Sequence, residues 1–345
     1  MKKKMKKVLS IICAVTLIGL LVGCSNQPTI EMSSGAVPTT AQVSATENPV
    51  LTETTAPSAE TTVAPTTEAT TVPVTESAKT IQLTDLTSIA ESPKTTDRLT
   101  DNYGNTYGTA IINDTTCYEY LLDGQYSVLK GTLYIPKGET SNKEAVLTVK
   151  GDGYVLYASP LMAKTSRPQE FEVNIAGFNK LVIEWNRNSY YLRCCLANAV
   201  LSEEASSRQE AVDPKTLPRE ITGLTSIAEK PEKTDKLTDV LGNTYNYAIY
   251  NTIGGNECFE YLLDKKYSKF KGTLYFPRGE TTNKSITMTL TADGQKIYES
   301  PAMTVSSAPV DFEVDVSQYN DFKINFSKNA WSGTLCIGNA YIYYV

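Results

Sequence analysis

The chain has 345 residues with 32 Lys and Arg against 38 Asp and Glu, a formal charge of −6, and no histidine. The missing imidazole excludes Ser/His/Asp and Cys/His catalysis and His-rich zinc sites. The acidic balance disfavours nucleic acid and anionic wall polymers as partners.

The N-terminus begins with five lysines, Lys2, Lys3, Lys4, Lys6 and Lys7, followed by an apolar stretch from Val8 to Val22. That stretch is shorter than a membrane span usually needs, so it reads as an export signal. It ends in Leu21-Val-Gly-Cys24. This resembles the bacterial lipobox, which implies cleavage after residue 23 and a diacylated Cys24 that holds the chain on the membrane. Loss of residues 1–23 removes five lysines and takes the formal charge from −6 to −11.

Residues 24–80 form the next segment, which lacks aromatic residues and is dominated by Thr, Pro, Ala, Ser and Glu. It cannot bury enough apolar area to offset the entropy of ordering, so it should be a disordered tether spanning roughly 40 Å as a coil. A lipid, a long tether and globular domains together imply display on the outer face of the cytoplasmic membrane, and the tether length suits a thick Gram-positive wall.

The remainder is written twice. Leu86-Thr-Ser-Ile-Ala-Glu91 returns as Leu224-Thr-Ser-Ile-Ala-Glu229, Tyr118-Glu-Tyr-Leu-Leu-Asp123 as Phe259-Glu-Tyr-Leu-Leu-Asp264, and Lys130-Gly-Thr-Leu-Tyr134 as Lys271-Gly-Thr-Leu-Tyr275. Each unit is too long for a solenoid repeat and should bury its own core. The boundaries fall at 81–201 and 221–345, with a linker at 202–220.

Both copies read as strands. Ile286, Met288 and Leu290 alternate with polar residues, as do Phe312, Val314 and Val316, and Ala145, Leu147, Val149, Phe171, Val173 and Ile175 repeat the pattern. Asp152-Gly153 and Asp293-Gly294 mark hairpin turns between such runs. No long helical period appears. Each copy is therefore expected to be all-β, an antiparallel sandwich of about eight strands.

Several spaced blocks resemble the NPCBM/NEW2 family: Tyr118 to Tyr126, Lys130 to Tyr134, Asp152-Gly153 with Leu156 to Ser159, Phe171 to Gly177 and Leu196 to Leu201. The second copy carries them at Phe259 to Tyr267, Asp293-Gly294 with Ile297 to Ser300, Asp311 to Val316 and Ile337 to Ile342. The resemblance implies tandem galactose-binding-like jelly rolls and a carbohydrate-binding role. The acidic, Trp-containing segment that often precedes the family's last strand is missing.

A sugar site needs an aromatic face for the apolar side of a pyranose and planar polar groups for its hydroxyls. Strand parity places Trp185 with Leu181 and Ile183 in the core. Tyr190, Tyr191 and Trp331 fall in the polar turns before each final strand. Arg187 and Asn188 flank the first turn, Lys328 and Asn329 the second, and both a binding platform and packing back onto the sandwich fit their position. Glu119, Glu260, Asp123 and Asp264 suit solvent-facing or turn roles rather than glycosidase geometry.

Cys117 and Cys195 are spaced as Cys258 and Cys336 are. Export permits a bridge in each copy, while the pattern around Cys195 equally suits a buried thiol.

The expected function is a non-catalytic surface lipoprotein whose paired modules bind polysaccharide or glycan, with no cofactor, no metal and no nucleic-acid partner. The alternative is an adhesin or scaffold whose sandwiches bind other proteins.

Overall fold

The computed structural model describes residues 79–186, 191–203, 211–228, 230–250, 258–327 and 333–345. The first copy contains β1 (Lys79–Gln82), β2 (Ala110–Ile112), β3 (Cys117–Leu121), β4 (Val128–Tyr134), β5 (Glu144–Ala145), β6 (Leu147–Gly151), β7 (Tyr154–Ala158), β8 (Met162–Ala163), β9 (Gln169–Asn174), β10 (Lys180–Trp185) and β11 (Cys195–Glu203). The second contains β12 (Pro218–Glu220), β13 (Ala248–Tyr250), β14 (Cys258–Leu262), β15 (Tyr267–Tyr275), β16 (Met288–Ala292), β17 (Gln295–Glu299), β18 (Val310–Asp315), β19 (Asp321–Phe326) and β20 (Cys336–Tyr344). Residues 218–220, expected in the linker, are thus a strand of the second copy.

Each copy is an antiparallel sandwich. A five-stranded sheet, β1-β11-β4-β9 with β2 also on β11, faces the four-stranded sheet β3-β10-β6-β7. The second copy repeats this as β12-β20-β15-β18 with β13, facing β14-β19-β16-β17. The alternation seen in the sequence is what closes them. Leu181, Ile183 and Trp185 on β10, and Phe322, Ile324 and Phe326 on β19, all point into the apolar layer between the sheets. Burying one such side chain contributes about 1.5–3 kcal/mol.

The Asp-Gly turns are two-residue hairpins. Asp152 and Gly153 have φ of 49° and 87°, and Asp293 and Gly294 have 46° and 79°. Left-handed backbone at both central residues is the type I′ geometry that matches strand twist. The Asp152 carboxylate also accepts from the backbone N–H groups of Asn179 (3.2 Å) and Lys180 (2.9 Å), and Asp293 does the same with Asn320 (3.1 Å) and Asp321 (2.8 Å). These aspartates therefore fix the start of β10 and β19.

The final strand of each copy carries a bulge that the sequence pattern did not reveal. Asn198 and Asn339 have φ of 47° and 50°. Pairing of β11 with β4 shifts between Ala197 and Val200. The side chain of Asn198 accepts from Gly108 N–H at 3.3 Å, and that of Asn339 from Asn246 N–H at 3.2 Å. An extra residue reverses strand parity. Cys195 and Ala197 consequently lie on the outer face, while Leu196, Ala199 and Leu201 enter the core.

This corrects the tentative disulfides. Cys117, Cys195, Cys258 and Cys336 are free thiols. Cys117 sits on β3 with parity opposite to the core residue Tyr118, hence on the outer face of the four-stranded sheet. Cys195 lies on the outer face of the opposite sheet, so a full sandwich separates the two sulfurs, far beyond the reach of a bridge. The same holds for Cys258 and Cys336. Burial pushes the Cys195 and Cys336 thiols up to about 12, which leaves them unreactive.

The two sandwiches pack on each other. Val146 and Leu161 of the first copy lie against Leu237, Tyr245, Ala248, Tyr275 and Cys336 of the second. Arg219 lies over both the Tyr154 and Tyr344 rings, 5.1 and 5.7 Å from their centroids, and the two rings also meet each other at 5.7 Å. A closed ring of four charges completes the contact. Lys150 pairs with Glu184 (2.5 Å) and Glu220 (2.7 Å), and Lys233 pairs with Glu220 (2.8 Å) and Glu184.

The aligned positions of the other copy hold Gln82 for Glu220, Thr95 for Lys233, Thr291 for Lys150 and Asn325 for Glu184. Each ring member is therefore charged only in the copy that uses it.

Removing one partner of a buried ion pair leaves the rest uncompensated, at a cost of about 3–5 kcal/mol. Glu220 is only 5% exposed. Glu220→Ala is expected to lower the unfolding free energy obtained from urea denaturation by an amount of that order, and so to lower the midpoint, with Glu220→Ala/Lys150→Met losing less than the sum of the single changes. An unchanged midpoint in Glu220→Ala would show that the ring does not hold the sandwiches together.

Candidate functional site

Much of the predicted sugar site lies outside the described residues, namely Arg187, Asn188, Tyr190, Lys328, Asn329 and Trp331, and so does Cys24, the expected lipidation residue. Tyr191 is described and stands 70% exposed where the chain returns toward β11. Buried Asn113 holds that return. Its Oδ1 accepts from Cys194 N–H at 3.0 Å and its Nδ2 donates to Leu192 O at 2.9 Å.

A glutamate ties the same segment to the loop after β4. Glu139 accepts from the N–H groups of Thr140 (2.9 Å), Ser141 (3.0 Å) and Arg193 (3.2 Å). Glu280 repeats this with Thr281 (3.1 Å), Thr282 (3.3 Å) and Thr334 (3.1 Å). Partial burial opposes ionisation of both carboxyls, but the N–H donors around them outweigh it and hold both pKa values below the usual 4.5.

A second repeated loop, Asp101-Asn-Tyr-Gly-Asn-Thr-Tyr107 and Asp239-Val-Leu-Gly-Asn-Thr-Tyr245, lies beside it. Asp101 is buried and accepts from Tyr103 N–H (2.8 Å), Asn105 N–H (3.0 Å), Asn105 Nδ2 (2.8 Å) and the Tyr107 hydroxyl (2.9 Å). Asp239 makes the corresponding bonds to Leu241, Asn243 and Tyr245. Desolvation raises both carboxyls, and the donors more than reverse it, leaving each below 3.8. These acids are structural clamps. Their repetition at a constant offset is visible in the sequence.

In the first copy the clamp presents further side chains to the edge that carries Tyr191. Asn102 Nδ2 donates to Lys164 O (2.8 Å) and its Oδ1 accepts from Gly138 N–H (3.3 Å). Lys164 Nζ donates to Asn142 Oδ1 (2.5 Å). Tyr103 is 48% exposed, its hydroxyl donates to Thr165 O (2.8 Å), and Arg167 stacks over its ring at 5.1 Å. Two exposed tyrosines thus stand among amides and cations, the chemistry that a pyranose needs. Sequence reasoning missed Tyr103, Asn102, Asn142, Lys164 and Arg167 because they come from three separate loops. The second copy has Val240, Leu241, Val305 and Ala308 where the first has Asn102, Tyr103, Lys164 and Arg167. The two edges are therefore not equivalent.

The profile of the NPCBM/NEW2 domain matches residues 230–332, within the second sandwich. Among solved structures, the tandem CBM51 modules of Sp3GH98, the family 98 glycoside hydrolase from Streptococcus pneumoniae SP3-BS71, are 12% identical, cover 78% of this chain and 100% of their own, and have a TM-score of 0.32. The CBM51 of Clostridium perfringens GH95 in complex with methyl-galactose is 15% identical over 36% of this chain and 99% of its own, with a TM-score of 0.31. The M60 catalytic domain with two CBM51 domains from Clostridium perfringens ZmpB is 12% identical over 77% of this chain, of which the match spans only 39% of that longer protein, with a TM-score of 0.32. No curated protein matches the chain. The NPCBM/NEW2 match includes β13 to β19, the Asp239 clamp that precedes them, and Glu280. The duplicated first sandwich carries the same two devices.

Because the four carboxyls have native pKa values below their ordinary 3.8 and 4.5, the unfolded chain binds more protons than the native one as pH falls. Their stabilisation is fully present above about pH 5 and is lost as pH drops through the depressed native values. The melting temperature should hold between pH 7 and about 5 and then fall. Asp101→Asn/Asp239→Asn should start lower and fall less steeply, and a slope identical to the parent's would assign the acid loss to other groups.

Proposed function

We propose that the chain is a surface-displayed lipoprotein carrying two non-catalytic carbohydrate-binding modules, 81–201 and 221–345, on a tether at 24–80, and that its partner is a polysaccharide or surface glycan. The observation that supports this most directly is the NPCBM/NEW2 domain at 230–332, together with its duplication in the first copy. In this reading Cys24 carries the lipid, the chain sits on the outer face of a Gram-positive membrane, and glycan contacts run through the module edges. In the first module, Tyr103 and Tyr191 supply faces, with Asn102, Asn142, Lys164 and Arg167 as hydroxyl partners beside Arg187, Asn188 and Tyr190. In the second, Trp331 with Lys328 and Asn329 does so.

A protein-binding role has one observation of its own. Both copies expose an apolar pair beside the first strand of the four-stranded sheet: Ile89 and Leu121 in one, Ile227 and Leu262 in the other. Ile89 N–H bonds to Glu119 O at 2.8 Å and Ile227 N–H to Glu260 O at 2.9 Å, so the repeated Leu-Thr-Ser-Ile-Ala-Glu block borders that edge in each. If no glycan is retained, this pair is the surface to mutate first.

One aromatic platform contributes about 0.5–1.5 kcal/mol, or roughly two- to twelvefold in Kd. Tyr103→Ala, Tyr191→Ala and Trp331→Ala should each weaken retention in polysaccharide affinity gels within that range. Combining substitutions in both modules should cost more, because avidity is then lost as well. Retention unchanged by all three would place the sugar elsewhere.

Anchoring is tested separately. Cys24→Ala should move the chain from the membrane fraction to the medium or leave it with an uncleaved signal. Membrane retention of a correctly cleaved Cys24→Ala chain would rule out the lipid anchor.

A further inference from the structure

We propose that the cleft between the two sandwiches is a carbohydrate site in its own right, taking one neutral pyranose unit. The proposal rests on the glycan-binding reading above and adds a third locus that neither module has alone. The cleft measures about 500 Å³ and is lined by residues of both copies. That volume falls within the roughly 300–1,000 Å³ typical of small-molecule sites, which favour such boundaries between domains.

Its lining calls for a ligand with hydroxyls. Asn186 lines the cleft, and its Nδ2 is a buried donor without an acceptor among the described residues, while Trp185 next to it keeps its ring in the apolar layer of the first sandwich and borders the cleft from within. A buried donor left unpaired is destabilising, so Asn186 Nδ2 marks a place where an outside acceptor belongs. Asn186 itself is held in place, since its Oδ1 accepts from Val146 N–H at 3.0 Å.

The charged ring also lines this cleft. It sets two ammonium groups against two carboxylates, and the remaining charged residues of the lining, Lys230 and Glu232, cancel as well. The lining therefore offers no net charge to an ionic ligand. It offers donors and acceptors side by side, which suits groups that both donate and accept, as sugar hydroxyls do. Each ammonium makes two ion pairs within the ring and has a third N–H beyond them.

The second copy could not build this site on its own equivalent face. It has Phe326 for Trp185, Ser327 for Asn186, Thr291 for Lys150 and Asn325 for Glu184. Among the described residues this cleft forms where the first copy's four-stranded sheet meets β12 and the segment around Lys233.

The chain contains only two tryptophans, Trp185 and Trp331, which gives each locus its own reporter. The full-length chain, labelled with 15N-Trp and held in detergent, would be titrated with galactose, N-acetylglucosamine, glucose, xylose and lactose while the two indole N–H resonances are followed. At least one sugar should shift the Trp185 resonance saturably. Glu220→Gln should weaken that response tenfold or more and leave any Trp331 response intact. Small-angle scattering reports whether Glu220→Gln keeps the sandwiches docked. If it does not, Asn186→Ala, which leaves all four ring charges, carries the same test.

A Trp331 shift with Trp185 static would confine binding to the module edge and overturn this inference alone. A Trp185 shift equally strong in Glu220→Gln and Asn186→Ala would mean that the signal is relayed from elsewhere, and would overturn it too. If neither indole moves with any sugar, and affinity gels show no retention, the glycan-binding reading itself fails.

Discussion

Everything described depends on one requirement: two sheets must close over a single apolar layer while every strand keeps its polar residues outside. Both copies meet it with the same inward set, such as Tyr118, Tyr120, Leu181 and Ile183 in one and Phe259, Tyr261, Phe322 and Ile324 in the other. Once that layer is closed, the outer faces and the loop ends are free to differ. They do differ, and the differences are where recognition can reside. Asn102, Tyr103, Lys164, Arg167 and Tyr191 at the edge of the first module have no counterpart in the second, although the backbone beneath them is clamped by the same aspartate and the same glutamate.

How much of this was legible in the sequence follows from the range of each interaction. Alternation is local, so the core strands and the inward position of Trp185 could be read directly, as could the Asp-Gly hairpins. The bulge could not, because one left-handed residue between alanines reverses parity without altering the hydrophobic pattern. That reversal carries Cys195 outward and removes the geometry for a bridge to Cys117. The edge around Tyr103 joins three loops, and no spacing rule connects Asn102 with Lys164. The two sites closest to chemistry, the edge and the cleft, thus depend on contacts distant in sequence.

The ring of Lys150, Glu184, Glu220 and Lys233 is an intermediate case. Its members are far apart in the chain, yet comparison of the two copies exposes them, since each faces a neutral residue at the aligned position. Duplication begins with identical surfaces. Charge that appears in one copy alone, on complementary faces, records where the copies met. The same comparison separates scaffold from recognition elsewhere: Asp101 and Asp239 agree, while Tyr103 and Leu241 do not.

The contact between the sandwiches joins unlike faces of like units. A head-to-tail interface of that kind does not close by symmetry, and between identical units it propagates into a fibre. Here the faces left over at either end of the pair carry Gln82 and Thr95 on one side and Thr287, Thr291, Ala302 and Asn325 on the other. Neither the charges nor the apolar knobs Val146 and Leu161 are reproduced there. The divergence that built the joint has therefore also removed its complement from both outer faces. Restoring the lost side chains, with Gln82→Glu and Thr95→Lys at one end and Thr291→Lys, Asn325→Glu, Thr287→Val and Ala302→Leu at the other, would supply the sticky ends of a filament.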